Sequence, residues 1–416
     1  MTYRDLNTPI RTIMTPGPAE VDPRVLRAMA TPVVGQFDPA FTDIMNEVME
    51  MLRALFQTKN KWAFPVDGTS RSGIEAMLAS VIRPGDRVLV PVYGRFGHLL
   101  MEICERYGAE VEAVYTEWGT VFEPAEIIRK IEETKPSIVA MVHAETSTGC
   151  MQTLKKIGHA CRERDILFIV DAVASVGGTE VRVDEWCIDG VIAGTQKCLS
   201  VPSGMAPLTY NDRVEKRIAS RKKTERGIAT EEELKQQSDI FIRSNYFDLG
   251  MLQDYWGPRR LNHHTEATSM LYALREGLRI LLEEGLEERF ERHAFHEKAL
   301  IAGIKGMGLE LFGQKEAKLP TVTCIKVPEG VEADSVRSML LEGFGIEIAS
   351  SFGPLHGKIW RIGTMGYSCR RENVLAVLGA LEAVLIRQGV PVNRGEAVQA
   401  ALDCYMKPAV KAPIEA

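Results

Sequence analysis

Seven short runs of apolar and β-branched residues recur along the first half of the chain, with helical periodicity between them. This alternation restricts the fold more than any other feature. The runs are Trp62 to Val66, Arg87 to Val92, Val111 to Tyr115, Ile138 to His143, Ile166 to Val170, Gly190 to Gly194 and Pro207 to Tyr210. Short apolar strands separated by helices build a mostly parallel sheet covered on both faces. The expected class is α/β, with seven mostly parallel strands between helices in one large domain. In open sheets of this kind ligands collect beyond the carboxyl ends of the strands, so chemistry is expected just after each run.

The pattern changes near Glu287. An amphipathic helix is predicted from Glu266 to Glu284, with Met270, Leu271, Leu274, Leu278 and Leu281 on one face. After it come a helix, strands at Leu309 to Phe312 and Thr321 to Val327, a helix from Ala333 to Glu342, a strand at Ile359 to Ile362 and a helix from Arg371 to Ile386. The chain therefore reads as an N-terminal segment 1–20, a large domain 21–286, a small α+β domain 287–392 and a tail 393–416 with no clear place in a core. A length of 416 residues accommodates two such domains.

Composition narrows the function classes. Fifty Lys and Arg against 56 Asp and Glu leave a formal net charge of −6, without the basic excess of a nucleic-acid binder. No apolar run approaches the roughly 18 residues of a membrane span. Met1 to Arg11 is polar, and Pro413-Ile414-Glu415-Ala416 is not a peroxisomal signal, so a cytoplasmic protein is expected. Eight cysteines lie scattered without CxxC or metal-type spacing, which predicts reduced, mostly buried thiols rather than a disulfide framework.

The run Ile166 to Val170 leads into Asp171, and a carboxylate at the tip of a buried strand is costly unless a cation meets it. Lys197 follows the next run, in Gly194-Thr195-Gln196-Lys197. By spacing alone the two could form a structural salt bridge. Gly68-Thr69-Ser70-Arg71-Ser72-Gly73 follows the first run and opens a helix. Small residues at a helix N-terminus let N–H groups and hydroxyls approach an anion, although such a turn also serves as a plain N-cap. It is neither a Walker loop nor a GxGxxG turn.

Taken in order, the cup at 68–73, His143-Ala144-Glu145-Thr146-Ser147-Thr148-Gly149, Asp171 and Lys197 resemble the fold-type I pyridoxal-phosphate enzymes. More narrowly they resemble class V aminotransferases of the alanine/serine–glyoxylate branch. The resemblance runs from Met14-Thr15-Pro16-Gly17-Pro18 to Arg361-Ile362-Gly363. It implies that Lys197 holds pyridoxal 5'-phosphate covalently and acts as general base once displaced. It further implies that Asp171 pairs with the ring nitrogen, Val173 packs beneath the ring, Phe96 stacks above it and Thr146 meets the ring hydroxyl. Thr69, Ser70 and Gln196 match phosphate ligands. Arg71 stands where relatives carry a small residue or His, and either adds a phosphate contact or points outward.

Asn262-His263-His264-Thr265 resembles a Tyr-His-His-Thr segment that reaches the partner subunit's cofactor, with Thr265 on the phosphate. The resemblance therefore implies a homodimer with shared active sites. Taken bare, the two histidines read as solvated or capping residues, and no third ligand at metal spacing accompanies them. Arg361 matches the arginine that grips a substrate carboxylate through a bidentate fork, and Gly17 is expected at the substrate with it.

Two departures bear on the donor. Asn262 replaces the Tyr, and Gln36 stands where His is common. Two carboxamides suit a substrate rich in amide and urea groups, and the pair resembles ureidoglycine–glyoxylate aminotransferases of purine catabolism. The activity implied is transfer of the amino group of (S)-ureidoglycine to glyoxylate, giving glycine and an oxalurate-type product. Alanine– or serine–glyoxylate transamination is the nearest alternative. A desulfurase would need a loop cysteine that Ser350-Ser351-Phe352-Gly353-Pro354 lacks, and a non-catalytic phosphate-metabolite binder is the remaining class.

Overall fold

The structure is a computed structural model that describes residues 3–235 and 240–407. It divides into two units. One comprises Val21–Glu291 with Gly313–Leu319; the other joins the N-terminal segment up to Glu20 to Arg292–Phe312 and to the chain from Pro320 onward.

All seven apolar runs become strands of one sheet in the first unit. We number them β1 (Trp62–Gly68), β2 (Arg87–Val92), β3 (Glu110–Tyr115), β4 (Ile138–Val142), β5 (Leu167–Asp171), β6 (Gly190–Ile192) and β7 (Gly204–Tyr210). Their spatial order is β1-β7-β6-β5-β4-β2-β3. The central strands β4 and β5 are buried at every residue, as expected of parallel strands covered on both faces. At the edge, β3 keeps Glu110 and Glu112 exposed, charges that discourage edge-to-edge pairing.

β7 is antiparallel to both β1 and β6, whereas β6, β5, β4, β2 and β3 pair in parallel. Two reversals restore direction, so β1 runs with the parallel set. The loops after Gly68, Val92, Val142, Asp171 and Ile192 thus share one edge of the sheet. The helix Ser70–Val81 lies close against β7 because Gly73 has no side chain; a Cβ there would come within 2.7 Å of Ala206 Cβ.

The second unit has its own core, which includes Met14, Leu300, Trp360, Ile362, Val377 and Leu381. Val322–Lys326, Ile359–Gly363 and Ala349–Ser350 form a three-stranded antiparallel sheet with Ile359–Gly363 in the middle. Thr12–Ile13 pairs in parallel with Ile346–Glu347, which places the N-terminal segment in this unit.

Several boundaries differ from the sequence reading. The units divide at Arg292, inside the helix Leu286–Gly306, rather than before it. The strand expected at Leu309 to Phe312 reduces to one bridge between Leu311 and Ile325. Residues from 393 are not a loose tail as far as Met406, because Glu396–Met406 is a helix with Ala397 and Ala401 fully buried and Tyr405 nearly so. Gly303 makes room for it: a Cβ there would fall 2.5 Å from the Ala397 carbonyl oxygen. The rest of the expected tail, 408–416, lies outside the described residues.

All eight cysteines are free thiols and six are buried. Among the described residues no helix is long and apolar enough to cross a membrane.

Candidate active site

The sequence-predicted residues of the first unit gather where the strand loops converge. Asp171 is the last residue of β5 and is 5% exposed. One carboxylate oxygen accepts the Val173 N–H at 3.0 Å. Burial pushes its pKa up to about 6; the Val173 amide and the Lys197 charge pull the other way, and the Glu145 carboxylate adds to the rise. The main chain is held from both sides, by His143 N–H on the Asp171 carbonyl and by Ala172 N–H on that of Ile192, each 2.9 Å.

Lys197 is buried in the turn after β6. That turn is anchored by Thr195, whose hydroxyl reaches the carbonyls of Pro202 and Met205 at 2.9 and 3.0 Å. Arg289 supports the residues beyond it, donating to the carbonyls of Gly177 and Cys198. A buried guanidinium spent on carbonyls fixes the loop, since both partners would otherwise lose hydrogen bonds on burial.

Ser70 and Gln196 meet directly, with Gln196 Nε2 donating to Ser70 Oγ at 2.8 Å. Their loops approach this closely because Gly194 lacks a side chain; a Cβ there would sit 2.3 Å from Ser70 Oγ. Thr69 leads into the helix Ser70–Val81 without a side-chain cap, so the first N–H groups and the positive end of the helix are left for an anion. Arg71 is exposed and has no hydrogen-bond or ion-pair partner among the described residues.

The residues assigned to the ring are placed by a carboxylate that the sequence reading left without a role. Glu145 is fully buried and accepts N–H bonds from Phe96 at 2.9 Å and Ser147 at 3.0 Å, plus the Ser147 hydroxyl at 2.5 Å. It thereby pins the turn carrying Phe96 and the segment carrying the buried Thr146. Gly94 is required beside it, since a Cβ would lie 2.3 Å from Glu145 Cγ. The argument that singled out Asp171, a carboxylate just past a buried strand, applies equally to Glu145. His143 is also buried; its Nδ1 lies 2.9 Å from Ser175 Oγ, and burial lowers its pKa to about 3, which keeps the ring neutral.

The segment 262–265 is more tightly built than two loop histidines suggest. Gln36 Nε2 donates to Asn262 Oδ1 at 2.9 Å, and Gln36 Oε1 accepts the Glu266 N–H at 3.3 Å. The two carboxamides thus form a pair that leaves the Asn262 Nδ2 donors without a partner among the described residues. His264 is half-buried near Asp67 and Glu266, while Asn262 and Thr265 are exposed.

Arg361 belongs to the second unit. It sits mid-strand opposite Cys324 and Ala349, is 5% exposed, and donates through Nε and Nη2 to the Ser350 carbonyl at 2.7 and 2.5 Å. Phe352 stacks on the guanidinium at 4.7 Å. Gly17 is in the same unit with φ of 112°, a value suited to glycine. The segment before it packs on the strand end: Gly363 N–H donates to the Met14 carbonyl at 2.7 Å, and a Cβ on Gly363 would fall 2.0 Å from the Thr15 carbonyl oxygen.

Comparison with known proteins shows the family. Residues 23–359 match the family described as aminotransferase class-V. The chain is 70% identical over 403 residues to the (S)-ureidoglycine–glyoxylate transaminase of Bacillus subtilis, covering 97% of each. It is 36% identical over 387 residues to the alanine–glyoxylate aminotransferase of Drosophila melanogaster, covering 92% of this chain and 94% of that one. The crystal structure of ureidoglycine–glyoxylate aminotransferase from Bacillus subtilis superposes with a TM-score of 0.92 at 67% identity, covering 97% and 100% of the two chains. The chain belongs to the class-V aminotransferases, which depend on pyridoxal phosphate.

Proposed function

We propose that this enzyme transfers the amino group of (S)-ureidoglycine to glyoxylate, as a cytoplasmic homodimer. The observation that carries the donor assignment is the Gln36–Asn262 pair, a carboxamide patch where an aromatic hydroxyl and an imidazole would suit a smaller amino acid. The Bacillus subtilis relative, which bears that activity in its name, supports it.

The residues fit the cofactor on two counts. The uncapped helix end with Thr69, Ser70 and Gln196 offers N–H, hydroxyl and carboxamide donors to a phosphate. Asp171, buried with a single backbone donor, calls for a cationic N–H such as a pyridinium's. Arg71, exposed on the same helix, adds positive potential that solvent screens.

Pyridoxal phosphate supplies a carbon that accepts and returns the amino group and a ring that draws electrons from the substrate's Cα. Lys197 would hold it, and its Nζ would take the proton from the donor's Cα and deliver one to the carbon that becomes glycine's. Asp171 keeps a proton on the ring nitrogen. Phe96 and Val173 would pack on the ring and Thr146 would meet its hydroxyl, while Glu145 holds the turns that carry Phe96 and Thr146. Arg361, already oriented by the Ser350 carbonyl, takes the carboxylate common to both substrates, with Gly17 lining that position. Gln36 and Asn262 meet the ureido group, and Asn262 and Thr265 serve the partner's site. Val33 and Phe37, 65% and 82% exposed beside Gln36, fit a surface that a second copy covers.

The test is a donor series with glyoxylate. We expect kcat/KM for (S)-ureidoglycine to exceed that for alanine or serine by about 10² or more; equal values overturn the donor. Asn262→Tyr should erode the preference. Loss of the cofactor's visible absorption on borohydride treatment and in Lys197→Ala tests the cofactor roles separately, and a colourless wild-type protein that takes up no pyridoxal phosphate sinks them.

A further inference from the structure

Asp67, His264 and Glu266 converge beside the 262–265 segment. His264 Nε2 lies 3.3 Å from Asp67 Oδ2 and 3.7 Å from Glu266 Oε2, and one ligand atom from each residue falls within 4.8 Å of the others. Glu266 is 4% exposed, and among the described residues neither of its carboxylate oxygens has a partner in good hydrogen-bond geometry; the same holds for His264 Nε2 and Asp67 Oδ1, while Asp67 Oδ2 accepts the Ala267 N–H at 3.1 Å. The Tyr255 hydroxyl lies beside the Glu266 carboxylate. The buried Glu266 carboxylate, facing the half-buried Asp67, is costly unless a cation or a proton meets it, and burial with the Asp67 charge pushes its pKa well up.

The histidine is set up as a ligand. His263 Nε2 lies 3.3 Å from the Asn245 carbonyl, which can only accept, so that nitrogen carries the hydrogen. His263 Nδ1 is then an acceptor in the neutral ring, and His264 Nδ1, 2.8 Å away, must donate to it. A neutral His264 ring held this way would present its Nε2 lone pair to the two carboxylates, the outer-shell arrangement that orients metal-binding histidines. Tyr255 and Tyr246 flank the His264 ring at 4.8 and 5.4 Å between centroids and limit its rotation.

We propose that Asp67, His264 and Glu266 bind one divalent cation of the zinc class. Donors about 2.0–2.1 Å from a tetrahedral ion stand about 3.3–3.4 Å apart, close to the spacings from His264. Two carboxylates balance the charge of a divalent ion, and an imidazole with carboxylates favours zinc over magnesium or calcium. Asp67 immediately precedes the cup and Glu266 immediately follows Thr265. The ion therefore ties the 262–266 segment to the carboxyl end of β1 and is a positioning element, with a fourth position left open.

The experiment uses the holoenzyme, freed of metal with EDTA and titrated with ZnCl2 by calorimetry. One ion per chain is expected, bound at least about 10²-fold more weakly in Asp67→Asn and Glu266→Gln. No stoichiometric binding overturns the proposal. So does binding unchanged in both variants, which would place the ion elsewhere, for instance at Cys187 and His159, whose Sγ and Nδ1 are 4.0 Å apart. Should either variant fail to fold, anomalous scattering from wild-type crystals soaked in ZnCl2 decides: a peak among the three donors supports the site, and its absence there refutes it.

Discussion

Asp171 and Asp189 are both buried in the large sheet, at opposite edges of neighbouring strands, and their surroundings differ in kind. Asp189 precedes β6 and is fully enclosed. It accepts the Phe168 N–H at 2.8 Å, Asn211 Nδ2 at 2.7 Å, Arg213 Nη1 at 2.8 Å and Arg162 Nη2 at 3.1 Å. Asp171 ends β5 with one amide donor at 3.0 Å and a pKa pushed up to about 6. A buried carboxylate whose acceptor sites are filled holds the fold together. One left with capacity to spare is prepared for something that arrives later, and the difference marks which edge of the sheet is structural and which is chemical.

Four measurements bear on this contrast. The largest effect is expected for Asp189→Ala, which takes the buried acceptor from four donors and leaves Arg213 only Asp165 and the Ile166 carbonyl. It should cost about 3–5 kcal/mol in denaturant unfolding while kcat per folded site stays near wild type. A loss below about 1 kcal/mol, or a folded but inactive variant, would erase the distinction. Next, Asp171→Ala should lower kcat about 10²–10³-fold at saturating cofactor, with thermal stability little changed; a drop under tenfold would return Asp171 to a structural role.

The third is a pH dependence. The folded pKa of Asp171, about 6, is above the ordinary 3.8. The protonated acid therefore favours the folded state, and this stability is complete below about pH 4 and lost as pH rises through about 6. Stability of cofactor-free wild type minus that of Asp171→Asn should fall by about 2–3 kcal/mol across this window, and parallel curves would contradict the assignment. The smallest effect is for Arg71→Ala. Exposed and unpaired, it should alter cofactor affinity by less than about threefold, measured by cofactor release on dilution. A larger loss would show that the guanidinium takes part in the cup.

Much of the chemical edge was legible from local pattern. Asp171, Lys197 and the 68–73 turn follow apolar runs, and strand periodicity locates such ends directly. Glu145 obeyed the same rule, but its role depends on a turn some fifty residues earlier that donates an N–H to it, and no local pattern announces that. The grouping of Asp67 with His264 was hidden for a related reason: Asp67 reaches it through the sheet, not along the chain. The helix Glu396–Met406 was hidden differently. Its buried face is Ala397, Ala401 and Tyr405, a correct four-residue period made mostly of alanine, which carries little hydrophobic contrast. The glycine that admits it, Gly303, is far away in sequence.

The reversed strand β7 carries a consequence for the order of synthesis. β1 leaves the ribosome first among the seven strands, yet its only neighbour in the sheet is β7, the last of them. The two halves of the proposed phosphate cup, 68–73 and 194–197, are thus joined by a strand that emerges after both. A nascent chain shorter than about Tyr210 can assemble the parallel core but cannot close the cup, so cofactor capture must wait until the whole sheet has been made.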